Sequence, residues 1–247
     1  MNVLEWIYQS GFPVGPYRLS TMELIGVLFG LASAVGGMKR RVWAWPIGIL
    51  GNVILFFVYI NATFGADHRT PLFGQSARQI FFIATSAYGW WRWQQVRARR
   101  REHTGSASED DGAAIIPRWA TAGERTGLVL TWVAGVIVVQ QVFAMIGAGW
   151  PAPRWYYWFD AWIFMGSLVA TYAMARGWNE FWLAWIGVDL VGVPLLWHSG
   201  YIPTAVLYAF YSVFVIYGFV VWLRATQNEA TRRSADRTPI RSGPAGP

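Results

Sequence analysis

Cysteine is absent from this 247-residue chain. Disulfides and thiolate metal sites are therefore excluded. Charge is scarce: 13% of residues are Asp, Glu, Lys or Arg, about half the ~25% usual in globular domains. The charges are also bunched, leaving residues 126–153 and 202–223 with none. Each stretch exceeds the roughly 20 apolar residues that cross a bilayer, which argues against a soluble enzyme with charged helix faces. Histidine is rare too, and His68, His103 and His198 are scattered in loops or at helix ends. No phosphate loop, paired metal-binding His or GxSxG motif occurs. No catalytic residue, metal or cofactor is expected. The first twenty residues lack a basic n-region and a clear apolar run, so no signal peptide is expected.

In place of charge the chain has apolar bulk: 55% of residues are hydrophobic and 17 are Trp. The pattern predicts an all-α, polytopic protein of the cell (plasma or inner) membrane, surrounded by lipid. Spans are expected at 21–38, 43–61, 74–95, 127–148, 156–175, 181–197 and 202–223. The first and sixth are short for a ~30 Å core and need flanking residues to reach the interface. Residues 1–20, with Trp6, Tyr8, Phe12 and Tyr17, read as an interfacial segment. Residues 21–96 form a first three-helix unit, 97–125 a cytoplasmic linker and 126–150 a connector helix. Residues 151–224 form a second three-helix unit, and 225–247 a cytoplasmic tail. The polar, Ser/Gly-rich linker and the tail are expected to be disordered.

The formal net charge of +7 would suit nucleic acid. Basic residues beside apolar spans serve as topology signals, however, and no nucleic-acid partner is expected. Seven spans place Lys39, Arg40, Arg41, Arg92, Arg97, Arg99, Arg100, Arg101, Arg118, Arg125 and Arg176 on one side, with Arg224, Arg232, Arg233, Arg237 and Arg241 of the tail. Only Arg18, Arg69, Arg78 and Arg154 fall on the other. The positive-inside rule puts the N-terminus outside and the C-terminus in the cytoplasm.

The chain resembles itself at an offset of 137 residues: Glu23 falls on Asp160, Lys39 on Arg176, Trp45 on Trp182, Ile49 on Ile186 and Asn52 on Asp189. After an eight-residue insertion in the first half the offset becomes 129, matching Phe81 to Phe210, Tyr88 to Tyr217, Gly89 to Gly218 and Trp93 to Trp222. The spans thus divide as 3+1+3. Three spans plus one connector return the second half to the orientation of the first, so the repeats are parallel, about an axis along the membrane normal. SWEET-type carriers are built this way and bind substrate near the midplane between the repeats.

Ionisable groups inside spans are costly and usually line a path or pair with something. Asp189 lies mid-helix, and Trp182, Trp185 and Asp189 share a face at i, i+3 and i+7. Trp45, Gly48 and Asn52 repeat the spacing. Two indoles and a carboxylate suit a flat cationic or polar aromatic ligand through stacking, cation–π contact and hydrogen bonds. Bonding between helices is the alternative role for Asp189 and Asn52. Gln79 and its repeat mate Tyr208 stand in the same position between ligand contact and structural bonding. Glu23 and Asp160 read as interfacial anchors or partners of Arg18 and Arg154. Gly26 and Gly30 form a GxxxG pair that permits close helix packing. Trp90, Trp91 and Trp93 read as an aromatic belt. Pro46 and Pro194 offer helix irregularity for a moving carrier.

Three segments carry a family resemblance: ELIGVLFGLASAVGGMKRRVWAWPIGILGN, RQIFFIATSAYGWWRW and DAWIFMGSLVATYAMARGWNEFWLAWIGVDLVGVPL. Together they resemble the PnuC nicotinamide riboside transporters over nearly all of residues 21–223. The WxWPxGxxxN and WxxWxxxD elements are specific in combination. The resemblance implies a 3+1+3 carrier that takes up a vitamin precursor by facilitated diffusion. Uptake in such carriers is made directional by a separate cytoplasmic riboside kinase. It implies a substrate site of Trp45, Asn52, Gln79, Trp182, Trp185 and Asp189, with Tyr208 and Tyr211 as further candidates. The segment EFWLAWIGVDLVGVPL is equally similar to the related riboflavin carriers, while Gly48 and Asn52 favour nicotinamide riboside. Other carriers of this type are thought to handle thiamine. The expectation is alternating access without an ion gradient, by a monomer or a homo-oligomer. A vitamin-binding receptor and a membrane enzyme acting on the precursor are the competing classes.

Overall fold

A computed structural model describes residues 11–14, 17–64, 73–104, 113–146, 155–198 and 202–237. Arg69, Arg154, Arg241, His68, Trp6 and Tyr8 of the sequence argument lie outside the described residues. The first elements are two short antiparallel strands, β1 (Gly11–Val14) and β2 (Tyr17–Ser20), paired Val14 to Tyr17 and Gly11 to Ser20. The remainder is helical: α1 (Thr21–Met38), α2 (Ala44–Phe64), α3 (Phe73–Thr104), α4 (Ala122–Ile146), α5 (Trp155–Arg176), α6 (Glu180–His198) and α7 (Ile202–Arg237). Among the described residues, Thr21–Met38, Ala122–Met145 and Tyr208–Arg232 are long and apolar enough to cross a membrane.

Four helices begin and end within three residues of their expected spans. The others run longer. The α3 helix continues to Thr104, into the expected linker, and α7 to Arg237, into the expected disordered tail. Charge ends an apolar span there, but it does not end a helix. Arg, Gln, Ala and Glu are good helix formers, and adding residues to an existing helix avoids the nucleation cost. Residues 238–247 lie outside the described residues. The α4 helix starts early, at Ala122, because Thr121 and Glu124 form a capping box. The Glu124 N–H donates to Thr121 Oγ1 at 3.3 Å and the Thr121 N–H to Glu124 Oε2 at 2.8 Å. Pro46 sits in the first turn of α2, where a missing N–H costs little, so it does not interrupt that helix. Pro194 lies inside α6.

Helices α1, α2 and α3 pack in sequence, and so do α5, α6 and α7. The two sets meet chiefly where α3 lies on α5, through stacked Tyr88 and Tyr172 and the edge-on pair Phe81 and Phe164. The α4 helix leans on α5, where Trp132 and Trp162 rings lie 4.6 Å apart. Its outward residues include Leu130, Val138 and Met145, the last 84% exposed. An apolar surface of this kind calls for hydrocarbon, not water.

The expected linker, 97–125, is partly ordered. Its residues 113–121 run as an extended segment with Ala114, Ile115, Pro117 and Ala120 buried. Ala114 and Ile115 belong to the main apolar core. Disorder is therefore the wrong expectation for this part. Residues 105–112 lie outside the described residues.

Candidate functional site

The site is built from two chain reversals of the same form. The turn after α1 reverses at Arg40 with φ 55°, and the turn after α5 at Gly177 with φ 74°. In each reversal two backbone bonds close a Schellman motif. The Arg40 N–H donates to Gly37 O at 2.9 Å and the Arg41 N–H to Gly36 O at 2.8 Å. The Gly177 N–H donates to Met174 O and the Trp178 N–H to Ala173 O, both at 2.9 Å. The chain then enters α2 and α6 with Trp45 and Trp182 in their first turns. Both indoles are buried.

Each indole lies flush against a glycine. A Cβ at Gly89 would strike the Trp45 ring, and one at Gly218 would strike the Trp182 ring. Only glycine leaves that space. Four residues on, and so on the same helix face, Trp93 meets Trp45 edge-on at 5.1 Å, and Trp222 meets Trp182 at 6.1 Å. Trp93 is therefore a core residue, fully buried, and not part of an aromatic belt. Trp90 and Trp91 are exposed, as a belt requires.

Between the two sets of helices lies a cavity of about 330 Å³, within the range of small-molecule sites. Trp45, Asn52, Trp182, Trp185, Asp189, Tyr208 and Tyr211 line it together. Sequence reasoning named all seven. Gln79, the eighth candidate, is not in the lining. It is buried in α3, with its Oε1 unpartnered among the described residues.

The lining also holds residues that sequence reasoning missed: Ser33, Phe82, Thr171, Met174, Phe181 and Phe214. Helical spacing carries a signal for some. Phe214 follows Tyr211 at i+3, Phe181 precedes Trp185 at i−4, and Gly30, Ser33 and Gly37 share one face of α1. Ser33 donates to Ala44 O at 2.7 Å and so ties the α1 wall to the start of α2. Glu23 and Asp160 are absent from the lining.

The walls are aromatic with a few polar points. Asp189 is buried, and its Oδ2 has no hydrogen-bond partner among the described residues. The Nε1 donors of Trp45 and Trp182 are likewise buried and unpartnered there. The lining thus combines flat apolar surface with the polar side chains of Asn52, Asp189, Tyr208 and Tyr211. Among the described lining residues no nucleophile is paired with a base.

Comparison with known proteins gives concordant likenesses. Residues 20–224 match the family described as nicotinamide mononucleotide transporter. The riboflavin/roseoflavin transporter RibM of Streptomyces davaonensis is 32% identical over 219 residues, covering 89% of this chain and 92% of RibM. The nicotinamide riboside transporter PnuC of Escherichia coli K12 is 20% identical over 237 residues, covering 88% of this chain and 91% of PnuC. Among solved structures, the crystal structure of the vitamin B3 transporter PnuC superposes with a TM-score of 0.62 at 16% identity, covering 84% of this chain and 82% of that one. That likeness shows the shared fold.

Proposed function

We propose, from the premise that the chain belongs to the nicotinamide mononucleotide transporter family, that it carries a flat heteroaromatic vitamin across the membrane, riboflavin before nicotinamide riboside. The observation that carries this reading is the aromatic cavity with the Asp189 carboxylate in its wall. Riboflavin has a wide, neutral ring system that the indole and phenyl walls suit, and the riboflavin relative is the more similar of the two named carriers, at 32% against 20%. Asp189 favours the second reading, because a carboxylate attracts the pyridinium cation of nicotinamide riboside.

The mechanism is alternating access by two parallel three-helix halves joined by α4, all seven helices crossing the bilayer. Two things support it. The paired chain reversals and the paired Trp–Gly contacts recur at the repeat offsets of 137 and 129. The repeat also turns α3 on α5 into α7 on α1, and both contacts are present, the second much sparser than the first. Arg118, Arg125 and Arg176, assigned to one side of the membrane by sequence, do gather at one end of the bundle around Glu124 and Glu180. This supports a cytoplasmic position for that end. Among the described residues the cavity lining holds one acidic side chain and no cation, which fits facilitated diffusion without ion coupling.

The test is titration of the purified protein with riboflavin, nicotinamide riboside and thiamine, followed by counterflow of the bound vitamin in proteoliposomes. Micromolar binding of one of them, and passage of that vitamin chemically unchanged in the presence of a protonophore, is the expected result. Binding without passage would make the protein a receptor, and absence of binding by all three would refute the reading.

A further inference from the structure

The two halves line the cavity with residues of different size. At the offset of 137, Gly30 falls on Ser167, Ala34 on Thr171 and Gly37 on Met174. Ala34 and Gly37 line the cavity from α1, and Thr171 and Met174 line it from α5. The α1 side is therefore recessed relative to its repeat mate. Gly30 lines the cavity too. The last helix of each half differs in the opposite sense. The α7 helix supplies Tyr208, Tyr211 and Phe214, whereas the equivalent α3 positions, 79, 82 and 85, supply Phe82. The small face of α1 and the rings of α7 belong to different halves, and these two helices touch only sparsely. Rings on one side and a helix nearly bare of side chains on the other make a slot for a flat group, since small residues let a ligand come close to the backbone.

The glycines of this helix do different things. A Cβ at Gly26 would strike the Leu55 side chain 2.7 Å away, so Gly26 is a packing position against α2. At Gly37 the space is taken by the Met174 side chain from the other half. Gly30 is unlike both. Outside the backbone of α1 and the two adjoining residues, no heavy atom of the described residues lies within 4 Å of where its Cβ would stand. Glycine weakens a helix relative to alanine, and no neighbouring side chain requires it at this position. The space it leaves is open, on a residue that lines the cavity.

We propose that Gly30 and Ala34 are specificity-determining residues that set the width of ring system the carrier accepts. The flat group enters between the small face of α1 and the rings of α7. The side chains missing at 30 and 34 leave room for a fused multi-ring system, such as that of riboflavin, where a single pyridinium ring would need less. This rests on the reading of the cavity as the vitamin site. Charge is judged from α6, through Asp189, and width from α1.

The test narrows the slot from the α1 side. Gly30→Val, and Ala34→Thr, which copies the repeat mate Thr171, are titrated with riboflavin and nicotinamide riboside in detergent beside a thermal melt. Ala34→Thr keeps the test available if the valine variant fails to fold. Riboflavin affinity should fall about tenfold or more in Gly30→Val, the size of discrimination that a few carbon atoms give in an apolar pocket, while nicotinamide riboside affinity changes about threefold or less. The melting temperature should hold or rise, because valine replaces glycine within a helix. Gly26→Ala is the packing control: it should lower the melt by crowding Leu55 and leave the ratio of the two affinities as in the parent. Unchanged riboflavin affinity in folded variants at 30 and 34, or equal losses for the two vitamins, would overturn the inference. A parent that binds nicotinamide riboside and not riboflavin would also overturn it and leave the carrier reading standing. A parent that binds no vitamin would refute the carrier reading and this inference with it.

Discussion

Asp189→Asn separates the ligand's demands from those of the fold. The exchange is nearly isosteric, so it leaves no cavity at a residue that is 6% exposed. Asp189 Oδ2 has no hydrogen-bond partner among the described residues, so an amide nitrogen at that position displaces no bond, and the remaining amide oxygen still faces the Ser212 hydroxyl. Burying an ionised carboxylate without full pairing is costly, and its removal should leave thermal stability unchanged or raised. Binding should respond in the opposite sense. Losing a hydrogen bond to a charged group costs roughly 1.5–3 kcal/mol, or about 10- to 150-fold in affinity. That loss applies to a cationic ligand such as nicotinamide riboside. A neutral ligand keeps its hydrogen-bonding partner in the amide oxygen, so riboflavin affinity should fall about threefold or less. The assay is calorimetric titration of both vitamins with parent and variant protein, alongside a thermal melt in detergent. Equal losses for the two vitamins, or a large drop in melting temperature, would assign Asp189 to the fold and remove it from recognition.

The glycine contacts and the chain reversals give two further tests. Gly218→Ala forces the Trp182 ring from its seat and should cost about 1–3 kcal/mol, the usual range for overpacking. Gly89→Ala should do the same through Trp45, and both should weaken vitamin binding; a detergent melt and titration unchanged at either site would refute the paired-seat argument. Gly177→Ala places a side chain at φ 74° with Ile115 Cδ1 3.0 Å from the new Cβ. It should cost about 1–2 kcal/mol, while Gly177→Asn, which tolerates the left-handed conformation, should lose less in the same melt.

Much of the site was legible because a repeat lets one half annotate the other. Asp189 stands out in an apolar helix, and Asn52 at the same repeat position draws attention to Trp45 and Gly48. The helix starts at Trp45 and Trp182 follow from the same reversal written twice. What stayed hidden has identifiable causes. Gln79 pairs with Tyr208 in the repeat, yet only Tyr208 reaches the cavity, since equivalent backbone positions carry side chains of different length and shape. Phe82 and Phe214 are common apolar residues, and nothing in their identity separates a cavity wall from a packing contact. Helix ends in α3 and α7 were misplaced because hydropathy reports where a span leaves hydrocarbon, and helical hydrogen bonding continues past that point. The 113–121 segment was read as disordered because its few apolar residues follow a charged, Ser/Gly-rich run. Its partners, Arg40 and Gly177, lie tens of residues away in either direction, beyond any local pattern.

The 113–121 segment, a strap whose Ala114 N–H donates to Arg40 O and whose Arg118 N–H donates to Gly177 O, also shows where the repeat is unequal. Its docking surface on the second half comprises Trp178, Glu180 and Thr226, the last accepting a hydrogen bond from Asn179 Nδ2 at 3.0 Å and donating to Pro117 O at 3.4 Å. The equivalent first-half residues, by the offsets of 137 and 129, are Arg41, Trp43 and Arg97, which line a separate surface pocket. The backbone geometry of the two reversals is the same, so shape does not decide where the strap lies. Chemistry decides. The Ala120 N–H needs an acceptor, which Glu180 supplies and an indole at position 43 cannot. Arg118, already opposite Trp178, would meet like charge at Arg41. One strap between two equivalent ends therefore settles on the second half.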